Sequence, residues 1–526
     1  MTSAPVSSSM PASDEASLLP PEISRYLPGL YMMKFGNKEM SLDMNKNSRF
    51  ASYRNIILFT LLTALMLTGV YRVIRWKDTT GNYISSYDEL YHTPENTIDV
   101  AFLGSSHCYA GIYPAVMWED RGVTSFDMAV SGQDKDSCYH ALIELLKTQK
   151  PQVVFADLYA LTFEEHAFIG NVYRNLLSMR TSSNSVQLVT AYAEKEDQED
   201  FILRWPIVHT RYRELQPYDF LKYPLNDFGR GAAYDWEHTD VSWATPCTDT
   251  GLSAPLSDSN RKWLDQMIRL SKKKGFRLVF TILPYDIPEE DRAVYNTVRQ
   301  YAGDAGIDVI DFSLLENEIS LDRREDFRDA GHLNGFGAAK ITRYLEAYLD
   351  TLPQEQYLEV DRRPDAACAI WNRDLSWMNQ TKFRYALDNS DSAQDFCALL
   401  AQTDGITAIL SLEDTGNEHA LPEGALSFEE LLPALKPLGF NTEIASPGGK
   451  WLYHAGELTK LHDNDDQEEA FSMDLGPVDS LRVQYNGDFA AGNLMIGLTD
   501  YSHRDRRLQI VLYDNITDEV IGSYCF

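Results

Sequence analysis

Cysteine is scarce: six of 526 residues, at positions 108, 138, 247, 368, 397 and 525, with no two spaced as C-x-x-C. That count excludes a disulfide scaffold, and no zinc-ligand spacing occurs. Positive charge is also short. Lys and Arg total 47 against 78 Asp and Glu, a net charge of −31. A surface of this sign suits neither a nucleic-acid backbone nor an anionic membrane face, so no nucleic-acid partner is expected. Long apolar runs are missing except for one. What is present is ordinary globular composition: 44% apolar and 12% aromatic residues. The length allows roughly two to four domains, each with its own core.

The one apolar run starts at Ile56 and is free of charge to Val70; Tyr71, Val73 and Ile74 carry it past Arg72. It is about 19 residues long, close to the ~20 of a spanning helix. Arg72 and Arg75 can snorkel to headgroups. A buried helix of a soluble domain is the competing reading, because the stretch Ile56–Val70 is only 15 residues long. The expected layout is a Ser/Pro-rich, disordered cytoplasmic tail over 1–55 and a single transmembrane helix over 56–76. Lys46, Arg49 and Arg54 precede the run while Arg72, Arg75 and Lys77 follow it, so charge alone leaves the orientation open.

Residues 95–350 alternate strand and helix signals. Ile98–Leu103 is a short apolar run entering Gly104; Val123–Ala129, Val153–Phe155, Leu278–Leu283 and Val309–Asp311 are similar. Helical faces occur at Ile112–Trp118, Ser137–Thr148, around Trp263–Ile268 and at Gly337–Leu349. The helix at Trp263 has cap candidates at Ser257–Ser259 and a stop at Gly275. The expectation is α/β: a mostly parallel sheet with helices on both faces, over 77–353. An aromatic-rich, irregular stretch near 165–250 reads as an insertion that shapes a pocket. A charged linker is expected over 354–365. A smaller β-rich α+β domain follows over 366–526, with strand candidates Ile406–Leu410, Trp451–His454, Leu481–Tyr485 and Leu508–Tyr513 and a helical stretch Ser427–Leu438. That region holds 10 basic and 26 acidic residues, half of the surplus negative charge. Its run Asp463–Glu469 reads as a solvated loop.

Three short pieces fit acyl-transfer chemistry. Phe102-Leu103-Gly104-Ser105-Ser106-His107 follows a strand and precedes a helix, Ser131-Gly132-Gln133 follows the next strand, and Asp329-Ala330-Gly331-His332 precedes the last helix. A serine hydroxyl is a weak nucleophile. It needs a base, the base needs a carboxylate to hold its tautomer, and the oxyanion needs N–H donors. Ligands of open α/β sheets lie beyond the carboxyl ends of strands, where Ser106 is placed. Gly132 lets backbone approach a substrate. The roles expected are Ser106 as nucleophile, His332 as base, Asp329 as its orienting acid, and the Ser106 and Gly132 amides as oxyanion donors. Gln133 and His209 are candidates for substrate contact. Ser105 is the nearest rival to Ser106, and Cys108 is a weaker one because a small buried thiol is the commoner case. Pairing of Cys108 with Cys138 stays open. Trp205 and Trp236 serve either core packing or stacking on sugar rings.

With these residues the sequence resembles the SGNH/GDSL hydrolase superfamily. Its F-x-G-D-S block corresponds to Phe102–Ser106, its second-block glycine to Gly132 and its D-x-x-H to Asp329 and His332. The resemblance is nearest to a membrane-anchored bacterial branch that includes DltD-like teichoic-acid D-alanylation and exopolysaccharide O-acetylation proteins. Phe312, Asp329, His332, Leu333 and Asn334–Ala338, together with His209–Leu215 and Pro284-Tyr285, carry that part of it. It implies a flavodoxin-like three-layer fold and a Ser-His-Asp esterase or O-acyltransferase working without cofactor or metal. It further implies a polysaccharide or glycopolymer substrate, an extracytoplasmic catalytic domain at the cell membrane and, for transfer, a multi-pass membrane partner supplying acyl groups. One block departs from the pattern. The superfamily's G-x-N-D, whose Asn donates to the oxyanion, is replaced by Val153–Ala160 with no Asn. Loss of such a donor costs about 3–4 kcal/mol of transition-state stabilisation. A binding or assembly protein that keeps the fold is therefore the alternative. Gly405–Leu410, Leu431–Phe440 and Leu508–Asn515 resemble the interleukin-like (ILEI/PANDER) domain, which implies an accessory, glycan-binding module.

Overall fold

The computed structural model describes residues 46–76, 85–163, 175–176, 179–220, 229–244, 247–249, 251–390, 392–403, 405–412, 428–445, 449–462, 471–475, 480–484, 493–497, 499–501, 508–515 and 519–526. The tail over 1–45, the acidic run Asp463–Glu469 and parts of the 165–250 insertion lie outside them. Two compact units are present, Met1–Gly69 and Val70–Phe526.

The first unit contributes most of a helix spanning Lys46–Ile74. Its Ser52–Ile74 part is long and apolar enough to cross a membrane. The hydroxyls of Thr60 and Thr68 donate to the carbonyls of Ile56 and Ala64, so these polar groups are satisfied within the helix.

The second unit is built on a parallel five-stranded sheet. Its strands are β1 (Val100–Leu103), β2 (Ser125–Asp127), β3 (Val153–Asp157), β4 (Arg277–Ile282) and β5 (Asp308–Asp311), in the order β2-β1-β3-β4-β5. All five are short and carry almost no exposed positions, as expected of strands covered on both sides. Successive side chains point to opposite faces. Ala101, Leu103, Val154, Ala156, Leu278 and Phe280 enter one core, with the helices Lys135–Leu145, Asp258–Lys274 and Glu289–Asp304. Val100, Phe102, Val153, Phe155 and Val279 enter the other, with Ser106–Gly111 and Gly335–Leu349. The helix Asp258–Lys274 starts at Ser257, whose hydroxyl accepts from the Asn260 N–H, and stops at Gly275 in the left-handed region. The expected helix over 112–118 is displaced. One helix ends at Gly111 and a second runs Pro114–Arg121, because Pro114 suits a first helical turn and breaks a continuing one.

The segment expected as a linker lies against the sheet unit. Arg362 makes two 2.8 Å bonds to Asp99, Tyr357 is buried, and Leu358 exchanges two hydrogen bonds with the Gln152 amide. A 19-residue helix, Ile370–Asp388, follows and puts Trp371 into the first core. Beyond it β8 (Ile406–Leu412) is the centre of an antiparallel sheet. Its neighbours are β9 (Lys450–His454), β10 (Glu457–His462), β15 (Leu508–Asp514) and β16 (Glu519–Cys525), in the order β10-β9-β8-β15-β16. A four-stranded sheet holds β11 (Phe471–Asp474), β12 (Ser480–Gln484), β13 (Asn493–Ile496) and β14 (Thr499–Asp500). Residues of β8 and β15 alternate between a core shared with the helices Ala393–Leu400 and Phe428–Leu435 and a core shared with Leu481, Leu494 and Ile496.

Candidate active site

The order β2-β1-β3 reverses direction around β1, and the crevice beyond the carboxyl ends of strands at such a switch point is where open α/β sheets bind ligands. The Gly104–Ser106 turn occupies it. A Cβ on Gly104 would stand 2.7 Å from the Cys108 Cβ and 2.9 Å from the Asp157 Cβ, so only glycine lets the chain turn here. Ser105 is buried, does not cap the following helix, and has no partner for its hydroxyl among the described residues. Ser106 is half-buried and opens the helix Ser106–Gly111.

Ser106 meets the distant D-x-x-H loop. His332 Nε2 lies 2.8 Å from Ser106 Oγ, and His332 Nδ1 lies 2.9 and 3.1 Å from the two carboxylate oxygens of Asp329. That loop is a tight antiparallel pair, β6 (Phe327–Asp329) with β7 (His332–Leu333). It is pinned from three sides: the Gly331 N–H donates to Asp329 Oδ1, the Asp286 N–H donates to the Ala330 carbonyl, and Asn334 caps the next helix through the Phe336 and Gly337 N–H groups. Burial pushes the Asp329 carboxyl up, but the Gly331 N–H, the His332 ring and Arg328 outweigh it and hold it below its ordinary value. Asp329 is therefore ionised at neutral pH and fixes the His332 tautomer with a proton on Nδ1. That leaves Nε2 free to accept the Ser106 hydroxyl proton.

His107 lies under this pair. Its ring stacks on Tyr159 with centroids 3.8 Å apart and meets the His332 ring edge-on at 5.2 Å. Burial, and then His332, push its pKa down to about 3. It is a neutral packing surface for the His332 ring. Tyr159 and Tyr285 complete this aromatic support, with centroids 5.2 Å apart. No motif in the sequence marks Tyr159. Cys108 is buried, and burial together with Asp127 and Asp157 raises its thiol well above the usual range. Such a thiol supplies almost no thiolate. Cys108 and Cys138 are both free.

Gly132 lies in a turn after β2 with φ +62°, a conformation that favours glycine. Gln133, expected to touch substrate, is built into the same turn. It is fully buried, its amide nitrogen donates to Asn175 at 2.7 Å and its oxygen accepts from the Cys138 thiol, so both ends hold the turn. His209 is the other residue expected to touch substrate. It is exposed, bonded to the Pro206 carbonyl, and belongs to a 3-10 turn (His209–Arg213) whose Arg211 donates to the Ile74 and Arg75 carbonyls and pairs with Asp219. Among the described residues it has no contact with Ser106, His332 or Asp329. Asp157 occupies the strand end where the missing Asn was expected. Its oxygens accept from the Leu283 and Tyr159 N–H groups, and burial raises its pKa to about 7. Both of its carboxyl oxygens are thus engaged by backbone N–H groups. Among the described residues no group of His, Cys, Asp and Glu has the arrangement of a metal site. The chain matches no known protein-family model and has no significant match among curated proteins.

Proposed function

We propose that the chain is an SGNH-type serine acyl-esterase or O-acyltransferase, held at the cell membrane by the helix Ser52–Ile74, and that it acts on O-acyl groups, most simply acetyl, of a cell-surface or exported polysaccharide. The observation that carries this reading is the continuous relay from Ser106 Oγ to His332 Nε2 and from His332 Nδ1 to Asp329. The parallel order β2-β1-β3-β4-β5, with Ser106 at its switch point, supports it.

In the proposed mechanism Ser106 Oγ attacks the acyl carbonyl carbon while its proton moves to His332 Nε2. The imidazolium formed is stabilised by Asp329. The amides of Ser106, at a helix start, and of Gly132 donate to the oxyanion. Collapse breaks the bond to the sugar oxygen, which takes the proton from His332 and leaves the acyl group on Ser106. Water or an acceptor hydroxyl then repeats the two proton steps in reverse. Transfer, as opposed to hydrolysis, requires an acyl donor, for which a multi-pass membrane partner is the natural source. In this reading residues 366–526 form an accessory module.

The second reading is a binding or assembly protein on the same fold, favoured by Asp157 standing where an oxyanion donor is expected. Turnover of an activated acetyl ester by the full chain in detergent separates the two. The enzyme reading expects hydrolysis that disappears in Ser106→Ala. Hydrolysis equal in wild type and Ser106→Ala would refute it.

A further inference from the structure

A second concavity is independent of the Ser-His-Asp relay. A pocket of about 240 Å³ lies between the 234–237 segment, the C-terminal half of the helix Ile370–Asp388, and Asp514 and Ile521 of β15 and β16. Sites for drug-sized ligands run to about 300–1,000 Å³, so this one suits a single small ring. Its walls are aromatic, formed by Tyr234, Trp236, Trp377 and Tyr385. The Trp236 ring is fixed in place, since its Nε1 donates to Thr381 Oγ1 at 3.0 Å and it meets the Phe336 ring in a T-shaped contact at 5.2 Å.

The polar part of the lining is unusual. Gln380 is only 6% exposed, yet neither its amide nitrogen nor its amide oxygen has a hydrogen-bond partner among the described residues. Buried polar groups are almost always satisfied, so this amide points to a partner that the protein does not itself supply. A ligand that both donates and accepts at one spot fits it, as hydroxyl and acetamido groups do. Asp235, Glu237 and Asp388 add acceptors, while Arg384 is the one basic side chain among the lining residues. One arginine among several carboxylates is no cradle for a phosphate or a uronate. Flat apolar walls beside paired donors and acceptors instead match a neutral pyranose ring, whose C–H face packs on aromatics and whose rim bears hydroxyls.

The pocket shares its wall with the loop that carries the base. Asp235 pairs with Arg328, the neighbour of Asp329, at 3.0 Å. The Gly335 N–H donates to the Asp235 carbonyl at 2.6 Å, and a Cβ on Gly335 would stand 2.5 Å from the Trp236 ring. We propose that this pocket is a saccharide subsite that holds a neutral pyranose residue through Trp377 and the Gln380 amide, with the buried Trp236 as a fixed support. That the ring belongs to the same glycan as the acyl group presented to Ser106 rests on the function proposed above; the binding site itself does not.

The test is a titration of full-length Ser106→Ala protein in detergent with chitotetraose, cellotetraose, maltotetraose and tetragalacturonate, followed by calorimetry. At least one neutral oligosaccharide is expected to bind saturably, with its Kd raised about tenfold or more by Trp377→Ala and by Gln380→Leu. Gln380→Leu removes two unsatisfied polar atoms and keeps the fold, so it decides the matter should Trp377→Ala unfold. Absence of binding by all three neutral probes overturns the proposal. So does equal affinity for the uronate, or binding that survives Gln380→Leu. The Ser106→Ala background separates this outcome from the chemistry. Serine labelling of the wild type without sugar binding removes the subsite alone, and sugar binding without serine labelling removes the enzyme alone.

Discussion

His107→Phe isolates one buried titration beneath His332. The imidazole is buried, stacks on Tyr159, and its Nδ1 has no hydrogen-bond partner among the described residues. Burial and then His332 lower its pKa to about 3, against 6.5 for an exposed histidine, with Asp329 opposing by a smaller amount. The folded chain therefore keeps this ring neutral where the unfolded chain protonates it. Below pH about 6.5 the unfolded state binds the extra proton, so stability is present above that value and is lost as pH falls toward 3. For one group the loss between pH about 7.5 and pH about 5 amounts to about 2 kcal/mol. Asp127 and Asp157, both raised to about 7 by burial, act with the opposite sign. They hold protons in the folded state and lose stability as pH rises through about 7. Both remain in the variant, so the difference between wild type and His107→Phe cancels them. Urea unfolding of the full chain in detergent, followed by near-UV circular dichroism at the two pH values, measures that difference. The variant is expected to gain about 2 kcal/mol on wild type at the acid value relative to the neutral one. A difference that is constant with pH to within about 0.5 kcal/mol refutes the reasoning.

Three further outcomes follow from the same geometry. Asp329→Asn leaves the loop in place but removes the charge that fixes the His332 tautomer, so kcat for ester turnover is expected to fall roughly 10³–10⁴-fold with KM little changed; a loss under tenfold would argue against the role. Cys108→Ala is expected to keep esterase activity, because its buried thiol supplies no thiolate, and loss of activity in a variant of unchanged thermal midpoint would reinstate it as nucleophile. Gly104→Ala forces a Cβ to within 2.7 Å of Cys108 and 2.9 Å of Asp157. It is expected to destabilise the chain by about 1–3 kcal/mol, read as a lower thermal midpoint, and an unchanged midpoint would show that the strand end yields freely.

The parallel strands were legible because a strand covered on both faces must be a short apolar run, as Val153–Asp157 and Arg277–Ile282 are. The helix Asp258–Lys274 was legible from its cap and its stopping glycine. The helix Glu289–Asp304 was not, because only Ala293, Tyr295, Val298 and Ala302 of its apolar residues are buried, amid a largely polar sequence. Nor was Ile370–Asp388, where Trp371 and Met378 are the chief buried apolar anchors. The edge strands Glu457–His462 and Glu519–Cys525 were missed for a related reason, since an edge needs less apolar surface than a centre. At the site, the serine turn and the D-x-x-H loop each have a local signature. Tyr159, the Arg328–Asp235 pair and the Gln380 amide have none, because their neighbours come from far along the chain. The partners of Gln133 and His209 were equally hidden: Gln133 is bonded to Asn175 and Cys138 in a buried turn, and His209 is exposed and bonded to the Pro206 carbonyl.

The central claim is that Ser106 is a nucleophile activated by His332. Intact-mass and peptide-mapping spectrometry of the full chain treated with a fluorophosphonate tests it most directly. One adduct is expected, on Ser106, absent in Ser106→Ala and formed far more slowly in His332→Ala. No adduct, an adduct on Ser105 or elsewhere, or labelling of His332→Ala at the wild-type rate would contradict it.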